Sequence, residues 1–198
     1  MKKLITLSTL LFLYLSQILA QDVFLENNLK MSKTSGNYPL PTLHIRNGLP
    51  NTLTKLRTNS PISIAYLGGC ITNHNGYRVY NEEWFRKEYP NCKITTVNAG
   101  IGGTGSDLGV FRLKDDVLIH QPDLVFVEFA VNDGNGDSIK ISNSMEGIVR
   151  QIKRYNPQTD ICFLYTINSP MLKDMEQGKL FSSMRLMEHI AEYYQLPS

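Results

Sequence analysis

The sequence predicts an α/β fold built on a parallel sheet covered by helices on both faces. Short apolar, β-rich runs recur at 62–67, 92–97, 124–129 and 161–167, and segments of helical spacing at 81–88, 108–119, 145–155 and 181–194 separate them. The runs are apolar almost throughout rather than alternating, which is the pattern of strands buried on both sides. Turn residues divide the two kinds of segment, as at His120-Gln121-Pro122-Asp123 and Asn156-Pro157.

Taken in order, the chain opens with Lys2-Lys3, a mostly apolar run over 4–15 and a short mixed stretch ending at Ala20. This pattern predicts a secretory signal peptide over 1–20 with cleavage near Ala20-Gln21, hence a secreted or periplasmic protein. The apolar run is too short for a stable membrane anchor, which needs about 20 unbroken apolar residues. Without Lys2 and Lys3, 18 basic residues balance 18 acidic ones, so nothing draws the mature chain to nucleic acid or to an anionic membrane. Residues 21–60 hold the turn clusters SGNYPLP and RNGLPN without sustained periodicity, and read as an irregular arm packed against the first strand.

The strand at 62–67 leads into Gly68-Gly69-Cys70, where a side chain is delivered to the rim of the sheet. The second strand leads into the glycine-rich turn 100–105, GIGGTG, and the third into Ala130-Val131-Asn132-Asp133. The last helical segment runs into Gln195-Leu196-Pro197-Ser198, and connection logic expects a fifth parallel strand to begin at Leu196. The chain is therefore expected to form one domain over 61–198, C-terminally truncated.

All three strand ends fall on one edge of a parallel sheet, the edge where ligands bind in open α/β folds. They carry a candidate nucleophile (Cys70), a turn exposing backbone N–H groups (around Gly103) and a side-chain amide (Asn132). Those are the parts of an acyl-transfer site, in which donors converge on a developing oxyanion. The three cysteines, Cys70, Cys92 and Cys162, match no metal-ligand spacing and cannot all pair within one chain; Cys92 and Cys162, at strand starts, read as core thiols. Glu128, an acid inside the apolar run LVFVEFA, needs a partner if buried, with Arg78 and Arg112 as candidates.

These blocks resemble the SGNH (GDSL-type) ester hydrolases, whose Gly-Asp-Ser-like, glycine and Gly-x-Asn-Asp-like blocks occur in this order. The nearest branch has a first block Gly-Gly-Ser-Ile-Thr, similar to Gly68-Gly69-Cys70-Ile71-Thr72 apart from Cys70. The resemblance implies a flavodoxin-like three-layer α/β/α fold, here without the last strand and helix. It also implies ester hydrolysis, with acetylated carbohydrate as the substrate class, and neither metal nor organic cofactor. By position it makes Cys70 the nucleophile, and Gly103 and Asn132 oxyanion donors alongside the Cys70 N–H.

Two departures qualify the resemblance. Cys70 stands where the family has serine, and the family's closing Asp-x-x-His does not occur in the sequence. Of the four histidines, His74 lies close to Cys70 in the chain; His44 falls in the arm, His120 on the opposite edge of the sheet, and His189 on the last helix. The alternative is a catalytically inactive fragment or binding relative of the family. A further alternative is a dinucleotide-binding domain, since GIGGTG is a formal G-x-G-x-x-G between a strand and a helix, with Glu128 closing the next strand.

Overall fold

The four apolar runs become four parallel strands of one sheet. β1 (Ile62–Gly68), β2 (Ile94–Gly100), β3 (Leu124–Glu128) and β4 (Asp160–Phe163) lie in the spatial order β2-β1-β3-β4. The structure, a computed structural model, describes residues Leu43–Ser198; the signal peptide expected at 1–20 and the arm as far as residue 42 lie outside the described residues. From β1 the chain moves outward to β2 and then crosses back to β3. The order reverses between β1 and β3, which opens a crevice at their carboxyl ends. The register aligns Gly68 with Gly100 on one side and with Glu128 on the other.

Helices cover both faces. Side chains on a strand point alternately up and down, so Ile62, Ile64 and Tyr66 join one core while Ala65 and Leu67 join the other. The first core is completed by Leu124 and Phe126 of β3, Leu56 of α1 (Pro50–Arg57) and Phe85 of a later helix, Tyr77–Glu88. A one-turn helix, α2 (Cys70–Asn73), comes between these two, which makes Tyr77–Glu88 α3. The larger core lies under α4 (Ser106–Asp116), the single turn α5 (Ala130–Asp133), α6 (Ser138–Tyr155), α7 (Ser169–Glu176) and α8 (Ser182–Tyr193). Helix α6 shows most clearly why: Ile141, Met145, Ile148, Val149 and Ile152 recur at three- and four-residue spacing and are all buried.

Three elements differ from expectation. Residues 50–57, expected to be irregular, form α1. Pro50 occupies its first turn, where a missing N–H costs nothing. Its N-cap, Leu49, has no side-chain acceptor, so the cap comes from elsewhere: the buried Asp160 carboxylate at the start of β4 accepts from Thr52 N (2.7 Å) and Asn51 Nδ2 (3.1 Å). The fourth strand, expected to run to 167, ends at Phe163, and Thr166 turns back to donate its hydroxyl to Glu128. Helix α7 was not expected; the Asn168 side chain caps it by accepting from Met171 N (3.2 Å), with Pro170 in its first turn.

Leu196, expected to begin a fifth strand, is buried, and the next residue meets the outer edge of β4, where Phe163 N donates to Pro197 O (3.0 Å). Beyond it, His44 and Ser198 exchange both backbone hydrogen bonds (2.8 and 3.0 Å). This corner is fastened by the Glu188 carboxylate of α8, which receives hydrogen bonds from Tyr165 Oη and Arg46 Nη2 (both 2.7 Å) and pairs with His44 Nδ1 (2.7 Å). Burial pushes the Glu188 carboxyl up, but hydrogen bonds from Ser198, Tyr165 and Arg46 outweigh it and bring it down to about 2.

The Asp160 cap is measurable. Asp160→Ala leaves the α1 N–H groups without an acceptor in a buried setting, and urea unfolding is expected to show a loss of about 1–3 kcal/mol. A loss below about 0.3 kcal/mol would mean that α1 does not depend on this carboxylate.

Candidate active site

Cys70 stands at the head of α2, two residues beyond the end of β1, and is partly exposed. Its sulfur accepts a hydrogen bond from Gly103 N (2.9 Å), in the turn after β2, and from Asn132 Nδ2 (3.5 Å), in the turn after β3. Three separate strand ends thus meet at one atom. The Asn132 amide and then the Gly103 N–H lower the Cys70 thiol below its ordinary pKa, because both favour the thiolate. Gly103 has φ of 75°, a left-handed conformation that lets the turn present its N–H inward. Gly69 answers to space rather than to φ: a Cβ there would run into the Asn132 side chain.

Beneath the sulfur lies a polar core. Glu128, the last residue of β3, is fully buried, and its carboxyl receives Thr72 Oγ1 (3.3 Å) from α2 and Thr166 Oγ1 (2.5 Å) from beyond β4. Thr72 Oγ1 also shares a hydrogen bond with Tyr77 Oη (2.9 Å). The expected arginine partner is not there. Arg78 bonds Thr72 O and Glu82, closing the carbonyl end of α2. Arg112 reaches across two strand ends, donating to Ala99 O (2.7 Å) and Gly68 O (3.0 Å). Burial, with a smaller contribution from the nearby Asp133 charge, raises the Glu128 carboxyl above the usual glutamate range against the two threonine hydrogen bonds.

None of the four histidines hydrogen-bonds the Cys70 sulfur. His74 Nδ1 pairs with the Cys70 carbonyl oxygen (2.7 Å), His44 with Glu188, and His120 lies at the amino edge, where its carbonyl accepts from Ser63 Oγ (3.4 Å). His189 sits on α8. The GIGGTG turn follows β2, at the edge of the described sheet, and its Gly103 N–H is directed at the sulfur, while Glu128 is occupied by two threonines. Cys92 is buried and donates to Ser60 O (2.9 Å), and burial pushes the Cys162 thiol up to about 12. Among the described residues, no group of His, Cys, Asp or Glu could hold a metal ion.

The model of the GDSL-like lipase/acylhydrolase family matches residues 63–194, a span that contains Cys70, Gly103 and Asn132. The chain belongs to this family. Among solved structures, the GDSL-like domain is similar to a two-domain esterase active on acetylated mannans, crystallised with mannopentaose, at 30% identity and a TM-score of 0.64. That match covers 75% of this chain and 40% of the esterase, so the chain spans well under half the esterase's length. A lipase/acylhydrolase from Enterococcus faecalis (18% identity, TM-score 0.56, 68% of this chain and 73% of that one) shares the fold. So does an acetylxylan esterase from Geobacillus stearothermophilus (20% identity, TM-score 0.56, 68% and 74%). No curated protein matches the chain.

Within the GDSL-like domain, the third block does two jobs. Asn132 faces the sulfur, and Asp133 accepts from Ser106 N (2.8 Å), capping α4, whose own N-cap is the side-chain-free Gly105. The Asn132-Asp133 pair is therefore a donor and a cap side by side. Ser183 of α8 holds the same turn, donating Oγ to Ala130 O (2.7 Å) and its N–H to Gly134 O (3.2 Å). Arg112, Thr72 and Thr166 carry no local signal for these roles, because each acts through a partner from a distant part of the chain.

Two outcomes follow for this GDSL-like domain. In Glu128→Gln the side chain keeps its shape and cannot ionise. Since the folded carboxyl holds its proton more tightly than the unfolded one, wild-type stability falls as pH rises through and above the ordinary glutamate range. Asp133 is raised in the same sense, so the comparison is between variant and wild type: Glu128→Gln is expected to lose less stability between pH 5 and 8, read from denaturant midpoints. An equal loss in both proteins would show that Glu128 titrates alike folded and unfolded. Separately, Asn132→Ala is expected to raise the Cys70 thiol pKa, read as an alkaline shift in the pH profile of alkylation by iodoacetamide. An unmoved profile would remove Asn132 from the sulfur's environment.

Proposed function

We propose that this chain is an exported ester hydrolase domain acting on acetyl groups of carbohydrates, with residue 70 as the nucleophile. One observation carries the reading: the Gly103 N–H and the Asn132 amide converge on the Cys70 sulfur. Donors that meet at a nucleophile also lie within reach of the carbonyl oxygen it attacks. The Cys70 thiolate forms a bond to the acetyl carbon, and the carbonyl electrons move to an oxyanion held by Gly103, Asn132 and the Cys70 N–H. Collapse expels the sugar alkoxide, which takes a proton to leave as the alcohol, and water then cleaves the acetyl thioester to acetate and thiol. The substrate class is supported by similarity to an esterase active on acetylated mannans, and export by the basic pair and apolar run before Ala20.

A second reading, a domain that binds such esters without turning them over, is favoured by one specific feature. No histidine hydrogen-bonds the Cys70 sulfur, so the general base of a serine-type site is not supplied by the described residues.

p-Nitrophenyl acetate separates the readings, because its leaving group departs without protonation. The native chain is expected to release a burst of nitrophenolate approaching one equivalent as Cys70 is acetylated, followed by slow release, and Cys70→Ala to give no burst. Steady turnover gained only by Cys70→Ser would show an intact oxyanion site served by a base. Equal rates in the native chain, Cys70→Ser and Cys70→Ala would refute the hydrolase reading.

A further inference from the structure

Arg112, in the middle of α4, spends its guanidinium on the strand ends that carry the site. Its side chain is only 10% exposed. Nη1 donates to Ala99 O (2.7 Å) and to Asp116 Oδ2 (2.8 Å), and Nη2 donates to Gly68 O (3.0 Å). Ala99 is the penultimate residue of β2, and Gly68 is the last residue of β1. Gly68 O also accepts from Ile101 N (3.1 Å), so this carbonyl, just before Gly69 and Cys70, meets both Arg112 and the start of the glycine turn.

The spacing leaves little slack. From Gly68 the chain reaches Cys70 in two residues, and from Ile101 it reaches Gly103 in two. The end of β2 abuts α2 directly, because a Cβ on Gly100 would run into the Asn73 backbone. Helix α4 is in turn located against the third strand end: Asp133 accepts from Ser106 N (2.8 Å), and a Cβ on Gly109 would run into the Phe129 ring. Arg112 therefore carries the position of α4, set beside the turn that bears Asn132, over to the strands that lead to Cys70 and Gly103. A planar guanidinium can hold two carbonyls at a fixed separation, which the single-point ammonium of lysine cannot. The hydrogen bond from Gly103 N to the sulfur (2.9 Å) weakens steeply as distance or angle is lost, so a change in height between β1 and β2 is felt at Cys70.

We propose that Arg112 is a positioning residue for the Cys70 site, holding the Gly103 N–H on the sulfur through the Gly68 and Ala99 carbonyls. It acts on the thiol through the backbone rather than by contact. This role is the same whether Cys70 turns esters over or the domain only binds them.

Alkylation of the full chain by iodoacetamide, followed cysteine by cysteine through the masses of the labelled peptides, tests this role. Arg112→Lys keeps the charge and loses the paired geometry. It is expected to slow Cys70 alkylation at pH 7 by about two- to tenfold, the effect of one weakened hydrogen bond, and to move the Cys70 pH profile to the alkaline side. Cys92 and Cys162 report on the fold, because Cys92 is buried and burial pushes the Cys162 thiol up to about 12. Both are expected to stay unlabelled at pH 7, as in the native chain. An arginine that merely stabilises the fold would, when replaced, open all three cysteines together. Arg112→Gln, which buries no unpaired ammonium, is the second variant should lysine unfold the chain, and the same slowing confined to Cys70 is expected. A native Cys70 rate in either folded variant would overturn the proposal, as would labelling of all three cysteines in both. The p-nitrophenyl acetate burst remains the separate measure of the hydrolase reading.

Discussion

Gly68 lies in register with Gly100 on one side and Glu128 on the other, and the site depends on that alignment. A parallel ladder fixes the relative height of its strands, so the turns after β1, β2 and β3 leave the sheet at one level and meet over the crevice where the order reverses. Arg112 reinforces the level by holding Gly68 O and Ala99 O together. A slip of one residue in β2 would carry the Gly103 N–H about 3.3 Å from the sulfur, more than the length of the hydrogen bond it makes.

Below the sulfur, Glu128 joins segments that are far apart in sequence. Its two oxygens take Thr72 from the turn that carries Cys70 and Thr166 from beyond β4, so the floor of the site is a hydroxyl-carboxyl chain rather than an ion pair. Burial raises the Glu128 carboxyl above the usual glutamate range, so the environment beneath the sulfur disfavours a second negative charge there. A buried carboxylate there opposes a thiolate at Cys70, and the upward shift of Glu128 acts in the direction that limits this.

The elements most legible in the sequence were those with a local signal. The β-rich runs located all four strands, and Cys70, Gly103 and Asn132 stood at strand ends that a parallel sheet must bring to one edge. What stayed illegible was whatever is completed from a distance. Helix α1 begins after Leu49, which cannot cap it, and the missing acceptor is Asp160, contributed by β4. Helix α4 begins after Gly105 and borrows Asp133. Residue type alone points to an arginine partner for a buried glutamate, but Arg112 is spent on two backbone carbonyls and on Asp116, and two threonines satisfy Glu128 instead. Helix α7 could have been read from Asn168-Ser169-Pro170, an N-cap followed by a first-turn proline.

The bond from Ser106 N to Asp133 has a consequence for how the domain breathes. Helix α4 has no cap of its own, α5 is a single turn gripped by Ser183, and the glycine turn between β2 and α4 hangs from the same junction. Local opening of any one of them strips hydrogen bonds from the others, so the three belong to one cooperative opening unit and their amides should exchange with solvent together. A partly open state would not leave one of the two donors on the Cys70 sulfur without the other. On this coupling the Gly103 and Asn132 donors are expected to leave the Cys70 sulfur together and return together.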